Sequence, residues 1–171
     1  SAAPRSSWLS TTAFSSGGST VSQNVTALND APTALIASVR LTPVGEDTAN
    51  PAGDTVASLL GASFSAARDQ VTGGSSANSF AGVAVVANAA ISAGAGAWQW
   101  YNGTSWTGIG TSVSTSSALA LAPDTLVRFL PAANYYGTPG ALTGRLIDNS
   151  AGAVTSGSTL NIGAGGATTA Y

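Results

Sequence analysis

Short β-compatible runs closed by turn residues recur along the whole chain, and this punctuation limits what it can fold into. Glycine, Ser-Gly and Asn/Asp-Pro breaks are frequent, with 21 Gly in 171 residues. β-Branched residues fill many of the intervals. That pattern predicts many short strands rather than long helices. The chain also lacks Cys, so no disulfide can staple it. Its length fits one sandwich-sized domain with a core of its own.

The strands can be placed by parity. Over Ser19–Leu28, Val21, Val25 and Ala27 share one face with Gln23, while Thr20, Ser22, Asn24 and Thr26 line the other. Asn29-Asp30-Ala31-Pro32 stops that strand, since Pro cannot continue a ladder. Ala34–Leu41 reads as the next strand, and 43–48 as a loop. Residues 54–61 read as a short helix, with Asp54 as N-cap, Val56, Leu59 and Leu60 on one side, and Gly61 at the C-terminal stop. Asp69–Ser79 is a polar loop, and Phe80–Val86 is a nearly continuous apolar run of strand length.

The clearest local signal is Trp98-Gln99-Trp100-Tyr101-Asn102-Gly103-Thr104-Ser105-Trp106. Asn-Gly suits a two-residue hairpin turn, which would set Tyr101 opposite Thr104 and Gln99 opposite Trp106. Tyr101 and Trp106 then share the face opposite Trp98 and Trp100. Apolar runs at 119–121 and 126–130 are split by Ala122-Pro123-Asp124. Ala141–Ile147 is strand-like, with Leu142 and Leu146 on one parity. The Ala/Gly/Ser/Thr-rich tail from Ala151 to Tyr171 is expected to form an extended hairpin or a flexible end.

Chemistry is scarce. The chain has no His, Lys, Met or Cys, and five Arg against seven acidic residues leave a net charge of −2. A serine nucleophile would have no His or Lys to take its proton. Glu46 and Asp47 are adjacent and would point to opposite faces of an extended segment, so they do not form a glycosidase pair. Asp69 and Asp124 are isolated in sequence. The expectation is a protein that is not an enzyme. The Arg residues are scattered, which argues against nucleic acid as a partner. The longest weakly polar stretch, 80–98, is broken by Asn88, Ser92 and Gly94-Ala95-Gly96, which argues against membrane insertion. The missing Lys excludes Lys–Asn isopeptide cross-links.

The run Ala27-Leu28-Asn29-Asp30-Ala31-Pro32-Thr33 resembles the "NDAP" linker of tandem cadherin-like and Ig-like repeats in large bacterial surface adhesins. Glu46-Asp47-Thr48 with Asp54–Leu60 resembles the opening of one such repeat, Ala97–Trp106 and Val127–Thr138 its middle, and Leu142–Asp148 a late strand. The resemblance spans most of residues 27–150. It implies an extracellular β-sandwich at the bacterial cell surface, exported by type I secretion and used as an extender in cell-surface or cell–matrix adhesion. Related repeats bind Ca²⁺ at domain junctions; this chain has neither a full DxNDN linker nor a DxD motif.

The resulting expectation is an all-β, Ig/cadherin-like antiparallel sandwich with one short helix. Residues 1–31 form an N-terminal segment with a closing or donor strand and the linker, and 32–171 form the repeat itself. Asp30, Glu46, Asp47 and Asp148 (with Asn149) are the candidate Ca²⁺ ligands, because Ca²⁺ takes about six to eight oxygens and the linker and loops that carry these residues are expected to cluster at one end of the sandwich. Tyr101 and Trp106 are the candidate glycan-stacking pair of a carbohydrate-binding module. A weak echo, Thr11–Phe14 against Thr168–Tyr171, fits a chain cut from an array. On that reading the partners are neighbouring repeats, or identical subunits that accept residues 17–28 by strand addition in a filament. Whether the segment pairs in cis or in trans is open at this level.

Overall fold

The computed structural model describes residues 17–89 and 94–171. Thr11–Phe14 of the echo, and the first part of the N-terminal segment, lie outside them. The fold is an antiparallel β-sandwich with one short helix. The strands are β1 (Thr33–Ala34), β2 (Asp54–Thr55), β3 (Phe64–Ser65), β4 (Phe80–Asn88), β5 (Gly96–Tyr101), β6 (Trp106–Gly108), β7 (Ala118–Leu121), β8 (Leu126–Pro131), β9 (Leu142–Asp148) and β10 (Thr159–Leu160); helix α1 is Val56–Leu60. Two four-stranded sheets form the layers, in the orders β10-β7-β4-β9 and β2-β8-β5-β6, and β1 and β3 make a small separate pair.

Side-chain alternation builds the core between the sheets. Val83 lies opposite Leu121 and Val85 opposite Leu119, while Trp98 lies opposite Phe129 and Trp100 opposite Val127. Val83, Val85, Leu121, Val127, Ile109 and the helix residue Val56 form the buried cluster, with Trp98 and Trp100 packed against it. The Trp98 and Phe129 rings meet edge to face at 5.4 Å. Trp98 Nε1 donates to the Gly140 carbonyl at 2.8 Å, so its one polar atom is satisfied.

The near-continuous apolarity of β4 has a second cause. Ala84 faces away from the sandwich core, yet it is fully buried. The tail covers that outer face: Ile162 and Ala170 pack against Ala84, Ala118 and Ile147. The small Ala side chains of β4 and β7 let the tail approach closely. The tail is thus a third layer, not the hairpin or flexible end expected; only Thr159–Leu160 is strand, paired to β7.

Four local expectations change. Residues 19–28 form no strand and are exposed, because among the described residues no strand lies beside them. Of Ala34–Leu41 only Ala34 is in a strand; the rest is irregular. Helix α1 starts later than expected, because Thr55 rather than Asp54 is its N-cap and accepts from the Ser58 N–H at 3.1 Å. Asp54 accepts from the N–H and hydroxyl of Thr42 instead, and Gly61 keeps helical angles as a 3₁₀ turn continues to Ser63.

The Trp hairpin shifts its register by two. Tyr101 pairs with Trp106 and Gln99 with Gly108, because Asn102 closes a four-residue loop by accepting from the N–H groups of both Thr104 and Ser105. A shift of two keeps parity, so Tyr101 and Trp106 still share a face.

Gly96 opens β5 at φ +128°, and a Cβ there would sit 2.1 Å from the Leu130 carbonyl oxygen. Gly103 also has positive φ, at +94°, but faces open space. Gly96→Ala should therefore cost about 3 kcal/mol and Gly103→Ala only about 1 kcal/mol in urea denaturation. Equal costs would show that β5 is not held this tightly against β8.

Candidate functional site

The four carboxylates expected to share a cation occupy separate settings. Glu46 is exposed beside a cleft of about 800 Å³. Asp47 adopts a left-handed conformation (φ 58°) and accepts from the Asn134 N–H at 2.7 Å. Asp148 is fully buried at the end of β9; its Oδ1 caps the following turn through the Ser150 N–H, and its Oδ2 has no partner. Asp30 contributes its backbone N–H, not its carboxylate, to a polar knot described below. Among the described residues no group of three or more His, Cys, Asp or Glu comes together.

The knot centres on Asp69. This carboxylate is 7 % exposed. Its Oδ1 accepts from the Asp30 N–H at 2.6 Å, and its Oδ2 from the Asn78 side-chain amide at 3.2 Å. Asn78 also donates to Asn29 Oδ1, and the Ser75 hydroxyl donates to the Asp69 carbonyl. Asn29 Nδ2 then reaches the Thr169 carbonyl at 3.0 Å, and the Ala31 N–H reaches the Ala167 carbonyl at 2.7 Å.

Three segments distant in sequence are tied at one pole of the sandwich: residues 29–31, the 69–78 loop and the C-terminal turn. Sequence reasoning left Asp69 isolated. The available signal was Asn78, an amide placed just before a strand, but nothing in the spacing joins it to a carboxylate nine positions earlier.

Tyr101 and Trp106 are both half-buried, with ring centroids 5.4 Å apart. One face of Trp106 is occupied, because the Arg128 guanidinium carbon lies 3.9 Å from the ring centroid. Arg128 is itself buried. Its Nε donates to Gln99 Oε1 at 2.8 Å, and one terminal nitrogen donates to Asn50 Oδ1 at 2.6 Å and to the Pro51 carbonyl at 2.9 Å. Burial pushes this guanidinium below its ordinary value. The partners are neutral oxygens and an aromatic face, so Arg128 holds the 50–51 loop onto the outside of the second sheet. An Arg inside the apolar run Leu126–Leu130 was the sequence signal for this arrangement.

The second cleft, about 410 Å³, opens between the sheets along β9. Ile36, Val39, Leu60, Val85, Leu142 and Leu146 are among its lining residues, and no lining residue is charged. Among the described residues no helix is long and apolar enough to cross a membrane. Comparison with protein-family models, with curated proteins and with solved structures finds no match to this chain.

Two substitutions test these clusters by chemical denaturation. Asp69→Ala strands the Asp30 N–H and the Asn78 amide, and should cost about 2 kcal/mol. Arg128→Lys keeps the charge but loses the planar fork and the stacking on Trp106, and should cost about 2 kcal/mol as well. A change below about 0.5 kcal/mol at either site would mean that its hydrogen bonds are replaced by water without loss.

Proposed function

We propose that this chain is a non-catalytic structural unit of an extracellular array at the bacterial cell surface, as its adhesin-like linker and hairpin segments suggest, and that its task is reach. What carries this reading is how its polar groups are used. Asp69, Asn29, Asn78, Asp47, Asp54 and Arg128 hold one backbone segment to another. With no His or Lys in the sequence, the hydroxyls have no side-chain base of those types. The polar chemistry fastens strands and loops.

A second version of the same role is a filament subunit that links copies by strand donation. One observation favours it over simple pole-to-pole stacking. Residues 29–31 and the C-terminal turn at 167–169 are tied together at one pole. The segment before the knot, in contrast, extends away from the body with Val21 99 % exposed.

The reading is tested by stretching several copies joined in series and by assaying the purified protein for hydrolysis of glycoside, ester and peptide substrates. A load-bearing unit gives regularly spaced unfolding events, one per copy, and no turnover. Turnover of any substrate, or extension without a resisting event, would contradict it.

A further inference from the structure

We propose that residues 19–27 of one copy dock as an added strand along the free edge of β9 in a second copy, with Val21, Val25 and Ala27 entering the cleft between the sheets. This rests on the structural-unit reading and names the surface through which units join.

The acceptor is defined by backbone geometry. The Asp148 N–H turns outward to the Ala170 carbonyl, while the Ala141 carbonyl turns inward to the Ala89 N–H. Alternation along β9 therefore aims the N–H and C=O groups of Leu142, Gly144 and Leu146 away from β4. Among the described residues nothing pairs with them. The same three residues line the uncharged cleft of about 410 Å³. Across its mouth runs 37–41, a segment with apolar Val39 and Leu41 but no backbone hydrogen bond to the sandwich. A strand edge with free backbone groups beside an apolar cleft is a template for another chain.

The donor has the complementary features. Residues 18–28 are exposed and make no hydrogen bond to the described body. Val21 and Val25 are 99 % and 87 % exposed, so the mostly apolar face they share with Gln23 and Ala27 is packed against none of the described residues. No residue from 17 to 29 is charged, which matches an uncharged cleft. The arm is fixed at its C-terminal end by the knot at Asn29–Ala31. Extended, residues 18–28 span about 36 Å, against about 17 Å for the open stretch 142–146. The arm is therefore long enough to clear its own pole and cover the acceptor edge.

Light scattering of the full chain over a range of concentrations, beside the Val21→Asp/Val25→Asp double variant, tests this. The wild-type mass should rise with concentration, while the double variant stays at the mass of one chain with an unchanged melting temperature. A labelled peptide of residues 17–28 should then bind the double variant saturably, and the same peptide carrying both substitutions should bind at least tenfold more weakly. Three results would overturn the proposal: a wild-type protein monomeric throughout, a double variant that assembles like the wild type, or a monomeric double variant that melts lower than dilute wild type, which would put the arm in its own cleft. None of these touches the structural-unit reading, which falls on turnover or on the stretching experiment.

Discussion

A backbone amide in a sandwich must find a neighbouring strand or water, and the layout of this molecule follows from where strands are and are not supplied. β4 is paired on both sides, by β7 and β9, and sits at the centre of its sheet. Its core-facing Val83 and Val85 and its outward Ala84 are all buried, because the second sheet covers one face and the tail the other. β9 has a partner on one side only. Among the described residues its outer edge is met by Ala170 at Asp148 and by nothing further along. The cleft lies along that edge, lined in part by the 37–41 segment, which makes no backbone hydrogen bond to the described sandwich.

The second organising feature is how few charges are available to hold the loops. Amides and hydroxyls take their place. The Ser156 hydroxyl accepts from the Ala122 N–H at 2.8 Å and meets the Thr125 hydroxyl, joining the tail to the turn between β7 and β8. Arg128 is held by neutral oxygens, and Asp69 by amides. Such bonds are worth little individually when exposed to water, but leaving a buried one unmade is costly. The structure therefore concentrates them at junctions between distant segments.

Parity made much of the sandwich legible in the sequence. Leu119 and Leu121, Leu142 and Leu146, and Trp98 and Trp100 all face inward, because period-two alternation depends only on local geometry. Residues 19–28 and 34–41 have equally good patterns, yet a strand also needs a neighbour, and sequence spacing does not report whether one is present. The hairpin register slipped by two because the Asn102 side chain, not the Asn-Gly backbone alone, sets the loop. The four acidic residues near turns sit in separate settings: Asp47 holds the Asn134 N–H, Asp148 caps its own turn, Asp30 is tied through its backbone N–H, and Glu46 is exposed. Asp69 reads as isolated in the sequence, because its tie to Asp30, like those of Arg128 to Gln99 and Asn50, joins residues that only tertiary structure brings together. Of the segments that carry the adhesin-like resemblance, Ala97–Trp106 forms the hairpin of β5 and β6, and Leu142–Asp148 is β9.

The central claim is that the sandwich is closed everywhere along β4 and open along β9. Amide hydrogen exchange in dilute, monomeric protein measures this directly. Leu142, Gly144 and Leu146 should exchange orders of magnitude faster than Val83, Ala84 and Val85 in the adjacent strand. Protection at those three positions equal to that of β4 would mean that the edge already has its strand, and would contradict the account.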